Sequence, residues 1–174
     1  MAGKYIEFLI PGYSTLFTKD RAYTPGAGEA AGLNPFDPKS ARPLIEGEWL
    51  QDAGSNKLTR GGLGVAVSGT KANESTIPQY VYFMEEGRYD AQATKRAHVA
   101  FGPAAFVFRC KLFDDTVTIA VGDSVSVWDY DGPAGAWGKV RRCLAKASGS
   151  GFNVGKVINK GADYIDVLYL PGCP

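Results

Sequence analysis

The 174-residue sequence predicts an all-β protein with a compact antiparallel barrel or sandwich body and a long extended N-terminal arm. Three observations favour this class. Short segments rich in β-branched and aromatic residues recur along the chain, 22 glycines and 10 prolines interrupt them, and no segment shows a capped helical period. The length allows one sizeable domain or two small ones.

The predicted arm covers residues 1–43. Prolines and glycines are dense between residues 22 and 43. Because proline lacks a backbone N–H and glycine is entropically costly to order, neither a helix nor a central strand is expected there. A connection of that length inside a compact domain usually has a function. The arm is therefore the first functional clue in the sequence.

The predicted body covers residues 44–174 and contains several strand-like segments. Ala97–Phe101 and Ala105–Phe113 are apolar and aromatic, and a Gly-Pro turn joins them, which predicts a pair of strands. Val154–Ile158 and Tyr164–Leu170 are predicted to form another such pair. Two segments keep a short helix as an alternative, Ala27–Ala31 and Tyr89–Ala97.

Residues 45–83 and 120–170 follow a similar pattern. Each segment begins with a glycine followed by an acidic residue, continues with an apolar strand that ends on aspartate, and then has a glycine-containing loop. A strand with lysine and arginine, a Gly/Val strand and an aromatic or aliphatic strand follow. Short antiparallel strands that close on themselves leave few exposed edges. We expect either two small barrel-like halves or one larger barrel built from both.

No motif supplies a reaction. Residues 64–71 have the spacing of a phosphate-binding loop, but their threonine and lysine stand in the wrong order. The run from Asp129 resembles the start of a calcium loop, yet Pro133 and Val140 occupy positions where ligands belong. His98 is the single histidine and has no nearby cysteine or serine. We expect no catalytic residue, no metal and no cofactor, and hence not an enzyme.

Net charge, apolar runs and cysteine content restrict which partners, metals and disulfides are expected. The formal net charge of +1 gives no reason to expect nucleic acid, and no apolar run is long enough to predict a membrane span. Cys110, Cys143 and Cys173 are odd in number and lack a Cys-x-x-Cys spacing, which argues against zinc or a disulfide framework. Buried free thiols are expected, with an intersubunit bond through Cys173 as the alternative.

The aromatic residues leave three interpretations open. The three tryptophans, nine tyrosines and nine phenylalanines can form a core, anchor a subunit interface or line a sugar-binding face. We expect Trp49 and Trp137 at a subunit boundary.

The segment Glu86–Pro103 resembles a recurring passage in head proteins of tailed bacteriophages. A Phe-rich strand, a pair of aspartates and Val121–Val125 follow it, and this order is similar to the capsid decoration, or cement, proteins of large contractile-tailed phages. Gly155–Ile158 and Ile165–Leu168 also resemble the last strands of such proteins. The resemblance covers Glu46–Leu170 and consists of turn-and-strand patterns.

The resemblance implies a non-enzymatic protein, often trimeric, on the outer face of an icosahedral shell. It would clamp neighbouring subunits of the major capsid protein, and its arm would contact the shell. An extended arm can gain main-chain hydrogen bonds by adding a strand to a partner's sheet. Alternatives are another virion β-protein of the tail or baseplate and a sugar-binding module. The candidate arm anchors are Tyr5, Phe8, Leu9, Ile10, Tyr13, Phe17, Leu33 and Phe36.

Overall fold

The computed structural model describes residues 6–9, 18–24, 44–45, 47–55, 57–60, 71–82, 96–100, 106–130, 132 and 141–170. Within these ranges the regular secondary structure is twelve β-strands and no helix, which confirms the predicted all-β class. Consequently, this part of the chain contains no helix long and apolar enough to cross a membrane.

The strands are named in chain order. They are β1 (Ile6–Phe8), β2 (Thr18–Thr24), β3 (Trp49–Asp52), β4 (Lys57–Thr59), β5 (Lys71–Ala72), β6 (Gln79–Tyr82), β7 (Arg96–Ala100), β8 (Phe106–Cys110), β9 (Ser124–Tyr130), β10 (Arg141–Lys146), β11 (Asn153–Lys160) and β12 (Ile165–Tyr169).

Five strands close into a small barrel in the order β2-β4-β3-β6-β7. The N-terminal part of β2 is antiparallel to β7, and its C-terminal part is parallel to β4, so β2 closes the barrel. Each fully buried leucine or valine inside contributes about 1.5–3 kcal/mol to folding. The buried core residues of this barrel are Tyr23, Leu44, Leu50, Leu58, Tyr82, Ala97 and Val99.

The other seven strands form a sheet in the order β1-β8-β12-β11-β9-β10, and β5 pairs with the end of β9. The chain just after β8 covers the free side of β10. There the Leu144 N–H donates to the Leu112 carbonyl (3.1 Å), and the Asp114 N–H donates to the Leu144 carbonyl (2.8 Å). This parallel contact makes β8 to β12 a second barrel-like half.

The two halves repeat one connectivity. Strands β2, β3, β4, β6 and β7 correspond in chain order to β8, β9, β10, β11 and β12. In each half the first strand is antiparallel to the last, and the first strand or the chain directly after it runs parallel to the third. The second strand lies between the third and the fourth. The repeated unit is wider than predicted, because the segments 45–83 and 120–170 omit the first strand of both halves and β7.

The described strands correct the predicted boundary between arm and body. Residues 6–8 and 18–24 fall inside the predicted arm, yet they form β1 on β8 and β2 in the first barrel. Ile6 and Tyr23 are 2 % and 3 % exposed, so both are core residues of the body. The dense Pro/Gly segment 25–43 lies outside the described residues.

One predicted strand pair is wrong and the other is confirmed. β7 and β8 form where expected but belong to different halves, because β7 pairs with β2 and β6 while β8 pairs with β1 and β12. β11 and β12 pair antiparallel as predicted. Of the two possible helices, the end of 89–97 is part of β7 and 27–31 is not described.

A larger core joins the halves. Trp49 and Val81 of the first barrel belong to the same buried cluster as Phe106, Phe108 and Tyr169 of the second. The ring centroids of Trp49 and Phe108 are 5.7 Å apart, and those of Phe106 and Tyr169 are stacked at 4.4 Å. The halves therefore share apolar packing as well as a chain connection.

Candidate docking surface

Two of the eight expected arm anchors fall among the described residues. Phe8 is the last residue of β1, and Leu9 follows it, half-buried, with its N–H donating to the Val107 carbonyl at 3.0 Å. Both therefore belong to a segment that is hydrogen-bonded to β8 of the body. The remaining anchors lie outside the described residues: Tyr5, Ile10, Tyr13, Phe17, Leu33 and Phe36.

The structure places Trp49 in the core and not at a subunit boundary. Its side chain is 0 % exposed within its own chain and packs against Phe108. A side chain that is already covered has no area left for a second subunit, so the interface expectation for Trp49 is corrected. Trp137 lies outside the described residues.

A cluster of buried charges crosses the junction of the halves. The Glu48 carboxylate, directly before β3, accepts hydrogen bonds from Arg60 (2.8 Å), Arg141 (3.4 Å) and the Ile45 N–H (2.9 Å). Glu48 and both arginines are at most 1 % exposed. Because Arg60 follows β4 and Arg141 begins β10, one carboxylate contacts a cation from each half.

Arg142 extends this cluster. Its guanidinium donates to Gln79 Oε1 (3.3 Å) and lies 3.5 Å from the Asp129 carboxylate. Burial lowers the pKa of Arg142, and the nearby Asp129 and Glu48 charges oppose that shift. Asp129, which begins the calcium-loop-like run, thus serves as a counter-ion for Arg142.

A ladder of polar side chains crosses four strands of the seven-stranded sheet. Arg109 on β8 donates through Nε and Nη2 to both oxygens of Asp166 on β12 (2.8 and 3.0 Å), and Asn159 on β11 donates to the same carboxylate (2.8 Å). Glu7 on β1 stands opposite Arg109 and is exposed. The ladder therefore alternates in charge toward the edge of the sheet.

The hydrogen bonds fix the ionisation of the ladder. The bond to Asp166 raises the pKa of Arg109 above its already high ordinary value. Partial burial would raise the pKa of Asp166, but the bonds from Arg109 and Asn159 outweigh it and lower that pKa. Both groups stay charged at neutral pH.

An aromatic ring completes the outer surface beside the ladder. The Arg109 guanidinium lies 3.8 Å from the centroid of the Tyr164 ring. Gly161 also lies against this ring, because a Cβ added there would lie 2.3 Å from Tyr164 Cε1. Arginine and tyrosine held in one geometry are the residue types that most often dominate protein interfaces. A side-chain pair of this kind would lose little conformational entropy on contact with a partner.

Glu74 forms a second fixed polar cluster at the gap between β5 and β11. Its carboxylate accepts hydrogen bonds from the hydroxyls of Ser126, Ser148 and Ser150 and from the Ser148 N–H. Partial burial would raise the pKa of Glu74, but these hydrogen bonds outweigh it and lower that pKa. The carboxylate is fully engaged, so the cluster joins the 147–151 bend to β9.

Trp128 is the half-buried tryptophan of the described chain. Its Nε1–H donates to Ser126 Oγ (2.9 Å), and the Lys71 ammonium lies 4.6 Å from its ring centroid. A lysine over the ring occupies the position that a sugar would use for stacking. No observation here favours the sugar-binding alternative.

The described residues hold no group of three or more His, Cys, Asp or Glu side chains that could bind a metal. Of the paired carboxylates, Asp114 is buried and accepts from the Thr116 N–H (2.9 Å), while Asp115 is exposed and accepts from Tyr130 (3.2 Å). The two aspartates serve different local contacts. The backbone of His98 lies opposite Asp20 in the β7–β2 pair.

Sequence reasoning missed Glu48, Glu74 and the Arg109–Asp166 pair. Glu48 directly follows a glycine with positive φ, the Gly-acid turn of the predicted pattern, but its partners lie 12 and 93 residues away. Glu74 and its serines are separated by 52 to 76 residues. Contacts of this range have no signal in one sequence.

Comparison with known proteins identifies no family. No protein-family model matches the chain, and neither a curated protein nor a solved structure matches it.

Proposed function

We propose that this protein is a bacteriophage capsid decoration protein. It binds the major capsid protein on the outer surface of the head and stabilises contacts between capsid subunits, after synthesis in the host cytoplasm. In this proposal it acts as a homotrimer and transforms no substrate. The resemblance of Glu86–Pro103 and of the closing strands to such proteins is the starting point.

The observation that carries the proposal is that the N-terminal region pairs with strands of both halves: β1 with β8, and β2 with β4 and β7. Ile6 is buried in the larger core that joins the halves, and Tyr23 and Leu44 are buried in the core of the first barrel. The Pro/Gly-rich residues 25–43 are thus held at both ends by buried residues. Residues 25–43 are the part of the predicted arm that we assign to the capsid contact.

The polar ladder and the Arg109–Tyr164 pair on the seven-stranded sheet also suit a protein that works by contact. Many weak contacts of this kind become strong when a lattice presents many copies together. A shell of repeated capsid subunits is such a lattice. The Arg109–Tyr164 surface is the second contact region in the proposal.

The direct test replaces residues 25–43 by a Gly/Ser segment of equal length, which keeps β1 and β2 in place. Binding to expanded empty heads of the encoding phage is measured by co-sedimentation. A matched control is Ile77→Ser, because Ile77 is 38 % exposed and lies outside this segment. We expect at least a tenfold loss of binding for the replacement and none for the control.

Two outcomes would contradict the proposal. Unchanged binding after the replacement would remove residues 25–43 from the interface. Cryo-imaging that finds the protein along the tail or baseplate would support the other virion role instead. The trimer is tested separately by sedimentation velocity, where a strictly monomeric mass at working concentration would count against it.

A further inference from the structure

The outer side of β1 is an open strand edge among the described residues. β1 is the last strand in the sheet order, and its described partner is β8. The Leu9 N–H donates to the Val107 carbonyl, so the backbone groups of Glu7 and Leu9 face β8. Because antiparallel pairing alternates, the N–H and C=O groups of Ile6 and Phe8 point away from β8. No described strand pairs with these groups, so this edge can accept a further strand.

The charge at this edge selects what can pair with it. Glu7 is exposed and stands at the end of the ladder in which Arg109 and Asp166 alternate in sign. A residue placed opposite Glu7 by an added strand would be its direct cross-strand neighbour. Opposite charges in that position stabilise a pair, and like charges destabilise it.

We propose that the outer edge of β1 binds an extended segment of a partner protein that places a lysine or arginine opposite Glu7. The segment pairs antiparallel and forms its main-chain hydrogen bonds with Ile6 and Phe8. Its basic side chain continues the alternation of the ladder by one further strand. The inference concerns the edge itself and does not rest on the decoration role.

The same residue rejects a second copy of this chain. In a two-fold antiparallel pairing through Ile6 and Phe8, Glu7 would stand opposite Glu7 of the second copy. That position is a non-hydrogen-bonded pair, where side chains approach most closely. Natural proteins use such edge charges to prevent self-association. The partner is therefore a different, basic segment.

The test uses two probes with matched controls. The first is a 1:1 mixture of the wild-type protein and Glu7→Lys, compared with each protein alone. The second is wild-type protein with a capped peptide of residues 4–10 that carries Glu7→Lys, compared with the unsubstituted peptide. Hydrogen exchange is followed at the Ile6 and Phe8 amides, and the Leu9 amide reports whether β1 stays on β8.

We expect the Ile6 and Phe8 amides to exchange at least tenfold more slowly in the mixture and with the lysine peptide. Neither effect should appear with either protein alone or with the unsubstituted peptide, and 1 M salt should weaken both. If Glu7→Lys releases β1 and the Leu9 amide loses protection, the peptide experiment on wild-type protein decides. Equal exchange of the Ile6 and Phe8 amides with both peptides would overturn the proposal. The Glu7 charge would then serve only to prevent other strands from pairing with this edge.

Discussion

Glu48 and Arg141 form a fully buried ion pair, 3.4 Å apart, across the junction between the two barrel-like halves. Glu48 also binds Arg60 of its own half at 2.8 Å. One carboxylate thus contacts two cations that are at most 1 % exposed. Removing one partner of such a cluster leaves uncompensated buried charge, which costs more than the cluster itself contributes.

We expect Glu48→Gln to lower the free energy of unfolding by about 3 kcal/mol, because Arg60 and Arg141 lose their shared counter-ion. Urea unfolding followed by tryptophan fluorescence measures the change. The amide keeps the size of the side chain, so the loss reports charge and hydrogen bonding and not a cavity.

The control for this prediction is Asp163→Asn. Asp163 lies 3.3 Å from Lys111, but the two side chains are 71 % and 39 % exposed. A solvent-exposed pair is expected to change stability by no more than about 0.5 kcal/mol. Equal losses for Glu48→Gln and Asp163→Asn would show that the buried cluster does not hold the halves together.

Glu74 should make the free energy of unfolding depend on pH. Its pKa is lowered in the folded protein from an ordinary value of 4.5, so its contribution is present above that value and is lost as pH falls through the lower folded pKa. We expect Glu74→Gln to cost about 1 kcal/mol at pH 7, a modest value because the carboxylate is partly exposed. The difference from wild type should narrow as the pH falls below 4.5, because the carboxylate becomes protonated there in both states in turn.

Urea unfolding of wild type and Glu74→Gln at pH 7, 5 and 3 measures this dependence. Other carboxylates titrate in the same range, but their effects cancel in the difference between the two proteins when they do not contact Glu74. A difference that stayed constant down to pH 3 would mean that the side-chain amide, and not the charge, accounts for the loss.

The sequence pattern predicted where strands lie better than which strands pair. β7 and β8 are both apolar and separated by a Gly-Pro turn, a pattern typical of a hairpin. In the structure Phe106 and Phe108 of β8 pack in the larger core that joins the halves, while Ala97 and Val99 of β7 pack in the core of the first barrel. Each half closes by pairing its own first and last strands. Packing between residues far apart in sequence determines this pairing.

The arm prediction failed at its ends for a similar reason. β2 carries three charged residues in Thr18–Thr24 and shows no regular alternation, so nothing local marks it as a barrel strand. It becomes one because β7 and β4 supply its hydrogen-bond partners, and Tyr23 is buried between them. Tertiary pairing here overrides local propensity.

Cys110 and Cys143 are expected to resist thiol reagents in the native protein. Both are free and fully buried. Burial raises the pKa of Cys110 to about 12 and that of Cys143 above its ordinary value, so the reactive thiolate is scarce at pH 8. In a Cys173→Ser background, Ellman's reagent should detect two thiols in urea and none rapidly without it. A fast reaction of either thiol in the native protein would indicate that the larger core around Cys110 and Cys143 opens readily.

The tight approach of β11 to β12 gives the most specific steric prediction. At Gly155 an added Cβ would lie 2.0 Å from the Leu168 carbonyl oxygen, a backbone atom that can move only if the strands separate. At Gly122 the φ of +94° is unfavourable for other residues, but no atom lies within 4 Å of the same position. We expect Gly155→Ala to cost about 3 kcal/mol and Gly122→Ala about 1 kcal/mol in urea unfolding. Because the two substitutions add the same methyl group, a reversed order would show that backbone conformation, and not the strand contact, limits β11.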